Sequence, residues 1–243
     1  MNSAVILCGG LGTRLRPLLK DRPKALALVG GRPFLEYLLL QLKRYEINNV
    51  ILAVRHCGEM IEAYFGSGDN LSLRLSYSYE SEPLGTGGAL KLAESLIHSE
   101  DFLVMNGDSF FNIDLKVLIR YHQKKKALVT IALAQVDNTQ RYGTVEVDRK
   151  GRIVRFLEKM KGEQAGLING GIYVFQRKVL ELIPEGRPVS LEYEVFPKLI
   201  GKGFYGLPFQ GYFVDIGVPE DYLRLQADPS RLLTAVNLKE KEG

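Results

Sequence analysis

Ala4-Val5-Ile6-Leu7-Cys8-Gly9-Gly10-Leu11-Gly12-Thr13-Arg14-Leu15-Arg16-Pro17, followed by Arg22-Pro23-Lys24, is the stretch that decides the fold. A short unbroken apolar run, Ala4 to Cys8, stops at paired glycines, which reads as a buried strand feeding a glycine loop. Three glycines pass within four residues, and basic residues follow at once. Glycine lets backbone N–H groups approach an anion without a Cβ in the way. Arg14 offers a fork of donors and Lys24 a point charge for phosphate oxygens. The alternative is a tight turn among solvated charges. Two better-known phosphate loops do not fit. A dinucleotide fingerprint needs glycine three residues past Gly12, where Leu15 stands, and a P-loop needs lysine after its last glycine.

The same strand-then-helix alternation continues outward from this loop. Leu35, Leu38, Leu39 and Leu42 form a helical stripe, and Val50–Val54 a second buried strand. Gly85-Thr86-Gly87-Gly88 precedes a stripe of Ala89, Leu92, Ala93, Leu96 and Ile97. Phe102–Met105 is a third strand, Leu115, Leu118 and Ile119 mark another helix, and Ala127–Ala134 is a longer strand. This alternation predicts a parallel sheet with helices on both faces. Beyond it, Thr144–Asp148 and Arg152–Phe156 flank Arg149-Lys150-Gly151 as a hairpin, and Ile168–Phe175 and Tyr212–Ile216 read as further strands. The second half is therefore a more antiparallel subregion. One domain over residues 1–228 is expected, with a charged, fraying tail over 229–243.

Composition narrows the class. The chain has 243 residues, 46% hydrophobic and 25% charged. A chain of this size buries roughly three-quarters of the surface it exposes unfolded, which excludes disorder and a disulfide miniprotein. Net charge is +4, from 32 basic and 28 acidic residues. That mixture suits a small polyanionic substrate better than a nucleic-acid track. The two cysteines, Cys8 and Cys57, make no disulfide framework or zinc spacing. The opening residues lack the basic region of a signal peptide, and no run of about 18 apolar residues exists to span a membrane. A cytoplasmic enzyme is expected.

Several polar residues have two readings on their own. Asp108 ends the third strand, where open α/β sheets gather ligands, and is either a Mg²⁺ ligand or a cap. Asp215 ends the Phe213-Val214 run and is equally site or cap. Glu158-Lys159 is a solvated pair or a sugar-binding pair. Ser190 and Glu192 suit sugar hydroxyls, or cap a helix beginning near Leu191. His122 lies on a helix stripe and reads as structural.

Taken in order, the blocks resemble the sugar-1-phosphate nucleotidyltransferases. These are Leu7–Pro17 with Pro23-Lys24, then Glu82-Pro83-Leu84-Gly85-Thr86-Gly87-Gly88-Ala89, Asn106-Gly107-Asp108 and Tyr142-Gly143-Thr144-Val145. Glu158-Lys159, Asn169-Gly170-Gly171-Ile172-Tyr173 and Gly211-Tyr212-Phe213-Val214-Asp215-Ile216-Gly217 complete the set. The resemblance spans about residues 3–226. It implies a Rossmann-like three-layer α/β/α fold: a mostly parallel mixed sheet with a small antiparallel sugar-binding subregion, as in nucleotide-diphospho-sugar transferases. The implied reaction joins a nucleoside triphosphate to a sugar 1-phosphate and releases pyrophosphate, with Mg²⁺.

By that resemblance, Arg14, Lys24, Asp108 and Asp215 carry catalysis, and the two aspartates hold the metal. Leu7, Gly9, Gly10, Gly12, Thr13, Arg14, Pro83, Gly85, Thr86 and Gly87 bind the nucleotide. Lys24, Asn106, Gly143, Glu158, Lys159, Asn169, Gly170, Ser190 and Glu192 hold the sugar phosphate. A homo-oligomer without nucleic-acid or membrane partners is implied. The wording of the Glu82, Asn169 and Ser190 blocks is most similar to guanylyltransferases, hence GTP. Among those it resembles the D-glycero-α-D-manno-heptose 1-phosphate enzymes first, the mannose 1-phosphate enzymes next, and thymidylyl- or uridylyltransferases after them. Phe213 stands where many relatives carry Trp, and Val218 where Thr is usual before Pro219; Val218 is a poor helix cap. A rival class is a nucleotide-sugar-dependent glycosyltransferase, but Ser109-Phe110 after Asp108 breaks the Asp-x-Asp that such enzymes use.

Overall fold

The computed structural model describes residues 1–10, 12, 14–19, 22–139, 142–157 and 165–238. The first strand is β1 (Ser3–Leu7), followed by the one-turn helix α1 (Arg16–Leu19). The small hairpin β2 (Leu28–Val29) and β3 (Arg32–Pro33) leads into α2 (Phe34–Arg44). Then come β4 (Asn49–Val54), α3 (Gly58–Phe65), β5 (Arg74–Tyr79) and α4 (Gly85–Leu92). They are followed by β6 (Asp101–Asn106), β7 (Ser109–Phe111) and α5 (Leu115–Lys125). The second half contains β8 (Val129–Val136), β9 (Thr144–Val147), β10 (Ile153–Leu157), β11 (Gly166–Gln176) and α6 (Phe196–Leu199). It closes with β12 (Phe204–Phe209), β13 (Phe213–Asp215), α7 (Pro219–Ala227) and α8 (Ser230–Ala235).

Among the described residues nine strands form one mixed sheet. Strands β6, β1, β4 and β5 run parallel, with β1 between β6 and β4. Strand β11 joins antiparallel to β6 and carries β8 on its other side, and β12 pairs parallel with β8. The hairpin β9–β10 adds to the start of β11 through Ile168 and Thr144. The antiparallel subregion is thus part of the main sheet.

Side-chain alternation explains the layers. Along β1, Ala4 and Ile6 pack into the core under α2, with Phe34, Leu35 and Leu38. Val5 points the other way, into a second core with Ala89, Leu90, Phe102 and Phe196. Both faces are dry, so the strand reads as a continuous apolar run.

Three departures from the sequence reading have local causes. Strands β5 and β12 are edge strands: β5 is half polar and β12 carries Gly206 and Pro208, so neither reads as a strand in the sequence. Helix α4 begins at Gly85, so Gly85–Gly88 form its first turn and do not precede it. Residues 230–235, placed in the fraying tail, form α8 and bury Leu232 and Leu233. Among the described residues no helix is long and apolar enough to cross a membrane.

Candidate active site

Register brings the site together at the carboxyl end of the parallel strands. Leu7 lies opposite Asn106 in the β1–β6 ladder, so the glycine loop and Asn106-Gly107-Asp108 leave the sheet side by side. Gly107 N–H donates to Leu7 O at 3.0 Å. A Cβ on Gly107 would lie 2.7 Å from that same oxygen, so only glycine permits this approach. Strand β13 pairs with β7, setting Asp215 opposite Ser109, and Ile216 N–H donates to Asp108 O at 2.9 Å. Two acids from distant parts of the chain thereby become neighbours.

Lys24 is delivered by a 3₁₀ turn, Lys24–Leu26, whose Ala25 and Leu26 are buried. Its Nζ donates to Asp108 Oδ2 at 2.7 Å. The point where a Cβ of Gly217 would sit is 2.8 Å from both Lys24 Nζ and Asp215 Oδ1, so the ammonium also faces the second acid. Gly217 N–H donates to Asp215 Oδ1 at 2.6 Å. Burial, and then the charge of Asp108, push the Asp215 carboxyl up to about 6, against the pull of Lys24, the Gly217 N–H and Arg14. One ammonium between two carboxylates leaves net negative charge in a half-buried place. Hard oxygen donors with a surplus of charge fit a divalent cation such as Mg²⁺. No cluster of three or more His, Cys, Asp or Glu side chains suited to a metal occurs among the described residues, so other oxygens would complete its shell.

Beside this pair lies a cleft of about 330 Å³. Leu7, Gly9, Gly10, Pro83, Gly85 and Thr86 line it, together with Asn106 and Asp108. Gly12, with φ +57°, packs against the Lys24 stem outside this cleft. Arg14 is exposed and acts on Asp215 through its charge. Gly87 sits behind the cleft wall, its N–H donating to Val189 O at 2.8 Å. Thr13, Glu158 and Lys159 lie outside the described residues.

On the far side, Asn169 Nδ2 donates to the Tyr173 hydroxyl at 2.7 Å, and Asn169 Oδ1 accepts from Gly171 N at 3.0 Å. Gly170 lies against the Phe111 ring and Ala132 O. Ser190 Oγ and Thr86 Oγ1 both donate to Glu192 Oε2, at 2.8 and 2.9 Å. Ser190 Oγ also accepts from Tyr193 N–H, capping a π-turn over Leu191–Val195. Capping and a polar face therefore coexist at Ser190. Gly143 precedes β9 next to Tyr142, whose ring meets Phe213 edge-on. A second hollow of about 580 Å³ opens beside Asp215, lined by Tyr142, Tyr212, Phe213, Asp221 and Arg231 among others. Among the described residues, Asp215 is the one predicted site residue on it.

Sequence reasoning missed three described residues of the smaller cleft: Arg55, Glu80 and Ala89, the last read only as part of a helix stripe. Glu80 is buried, accepts from Leu84 N–H at 3.1 Å, and has its carboxyl raised by burial. Its signal was a charged residue straight after a strand, but that strand, β5, was itself not recognised.

A glycine loop, a lysine and two acids meeting at the end of parallel strands define an enzyme of phosphate-transfer chemistry on nucleotides. The chain belongs to the nucleotidyl transferase family, whose model matches residues 3–230. Mannose-1-phosphate guanylyltransferase of Mycobacterium tuberculosis is 41% identical over 228 residues, 93% of this chain and 64% of that protein. The chain thus spans somewhat under two-thirds of that relative. D-glycero-alpha-D-manno-heptose 1-phosphate guanylyltransferase of Campylobacter jejuni is 42% identical over 222 residues, covering 90% of this chain and 96% of that protein. The structure of HddC from Yersinia pseudotuberculosis complexed with GMP-PN superposes with a TM-score of 0.83 at 33% identity, covering 95% of this chain and all of that one.

Proposed function

We propose that the chain transfers a guanylyl group from GTP to a sugar 1-phosphate, with D-glycero-α-D-manno-heptose 1-phosphate the favoured acceptor. The observation that carries the base choice is Glu80. A buried carboxylate is an acceptor-only group, and guanine offers two adjacent donors, N1–H and the N2 amino group, to meet it. The heptose is favoured because relatives of that name match this chain over nearly their whole length, 96% and 97%.

In this reading a sugar-phosphate oxygen attacks the α-phosphorus of GTP. One P–O bond forms, the bond to the β-phosphate oxygen breaks, and pyrophosphate leaves in line with the attack. Both reactants are anions, so the work is alignment and charge stabilisation, with no covalent enzyme intermediate. Gly9 and Gly10 leave room for the nucleotide against the loop backbone. Lys24 draws the sugar phosphate towards the α-phosphate, and Arg14 steadies the leaving group. Asp108 and Asp215 would hold Mg²⁺, which offsets phosphate charge when bound. Asn169, steadied by Tyr173 and Gly171, serves the sugar hydroxyls, and Asn106, Gly143, Gly170, Ser190 and Glu192 share that role.

A pyrophosphate-release panel tests this: four nucleoside triphosphates crossed with heptose, mannose and glucose 1-phosphates, with Mg²⁺. Release is expected with GTP and the heptose 1-phosphate. Release confined to GTP and mannose 1-phosphate overturns the sugar, and release confined to dTTP or UTP overturns the base.

A further inference from the structure

We propose that Arg55 reads the O6/N7 edge of guanine, next to the donor edge taken by Glu80, and so sets the selectivity of the cleft; this rests on the guanylyltransferase reading above. Arg55 is the first residue past β4 and Glu80 the first past β5. Those strands are parallel neighbours, with Val54 opposite Tyr79 and Glu80 N–H donating to Val54 O at 2.9 Å. Residues 55 and 80 therefore leave the sheet one strand spacing apart, about 4.8 Å. Both side chains line the 330 Å³ cleft. Gly9 opens the space between them: a Cβ there would collide with Glu80 Oε1 and lie 3.5 Å from Arg55 Cβ.

Glu80 has a backbone partner in Leu84 N–H. Arg55 is half-buried, yet among the described residues it makes no hydrogen bond or ion pair. A guanidinium with unused donors in a cleft this small is poised for acceptors brought by a ligand. Guanine supplies them in order around its ring: the N2 and N1 donors, then the O6 acceptor, then N7. A base that gives its donors to Glu80 turns O6 and N7 towards the neighbouring strand end, where an arginine fork matches both atoms. Adenine would present its N6 amino group to that fork, donor against donor, and would leave Glu80 without a partner. Two side chains of opposite charge then accept guanine and reject adenine without any contact to phosphate.

The test compares kcat/KM for GTP, 7-deaza-GTP (which lacks N7) and ITP (which lacks the N2 amino group). It uses the full-length chain with Mg²⁺ and saturating sugar 1-phosphate, as wild type and as Arg55→Met. Wild type is expected to use 7-deaza-GTP about tenfold less well than GTP, the loss of one charge-assisted hydrogen bond. Arg55→Met, which loses the contacts to both O6 and N7, should use GTP about 100-fold less well than wild type, use 7-deaza-GTP about tenfold less well than wild type does, and no longer distinguish the two. Its preference for GTP over ITP, set by Glu80, should persist. Equal use of GTP and 7-deaza-GTP by wild type overturns the proposal, whether or not the variant folds. So does an Arg55→Met variant that loses the same factor with both, since that is the mark of a phosphate contact or a structural role. In either case GTP-dependent turnover by wild type leaves the guanylyltransferase reading standing. Wild type that ignores GTP and uses another triphosphate removes that reading together with the proposal.

Discussion

Asp215 sits where burial and a neighbouring carboxylate both oppose its ionisation, and the proposed hold on Mg²⁺ requires the ionised form. Because its carboxyl is raised to about 6 in the fold, the folded chain holds that proton more tightly than the unfolded one. Its contribution to stability is fully present below the ordinary carboxylate range and is lost as the pH rises through about 6. Asp215→Asn should therefore raise Tm at pH 8 without divalent cations and give no gain at pH 4. Equal gains at both values would show that Asp215 is not strained by ionisation. Glu80 permits a second prediction at this scale. Glu80→Gln replaces one acceptor oxygen by a donor, so kcat/KM for GTP should fall about 10- to 100-fold, the worth of a hydrogen bond to a charged group. The loss with ITP, which lacks the N2 donor, should be smaller. Equal losses with both would remove Glu80 from base recognition. Neither environment was legible in the sequence. The strand before Glu80 alternates polar and apolar residues at a sheet edge, and the partners that raise Asp215 come from elsewhere in the chain.

The elements that were legible are the ones buried on both faces. Strands β1, β4, β6 and β8 read as apolar runs because helices cover both sides, and α2 and α5 showed their stripes. The three-residue ladder β7–β13 carries the site, and no local pattern marks it, because each strand is defined by its distant partner. Residues alone left both aspartates ambiguous, and the ordered motifs were needed to pair them. Helix α4 shows how a glycine cluster can mislead. Gly85 has φ +69°, and a Cβ there would lie 2.7 Å from Val189 O. Its glycines let the first turn press against residues 187–189, and Thr86 ties it to Leu191 N–H at 2.9 Å. Gly85→Ala should cost about 1–2 kcal/mol from the left-handed backbone before any clash, measured by urea unfolding, and should weaken GTP binding. Unchanged stability would mean that the turn re-forms without the contact to Val189.

Across the whole molecule, the C-terminal segment is held to the N-terminal half. Arg44 of α2 donates to Ala235 O at 3.0 Å, and Leu232 and Leu233 of α8 lie in the core that includes β1. Its short length and charged surroundings hid this in the sequence. Leu232→Ala should cost about 2–5 kcal/mol in chemical unfolding, as for a buried leucine elsewhere. A loss below about 1 kcal/mol would return this segment to the status of a tail. Two acids, joined by the short β7–β13 ladder, form the centre of the proposed reaction between two phosphorylated substrates. Its most direct test is the rate of pyrophosphate release from GTP and sugar 1-phosphate by Asp108→Asn, at saturating Mg²⁺, with thermal unfolding measured alongside. A fall of at least about 100-fold in kcat at nearly unchanged Tm is the predicted result. A variant that folds normally and turns over at the wild-type, Mg²⁺-dependent rate would contradict it.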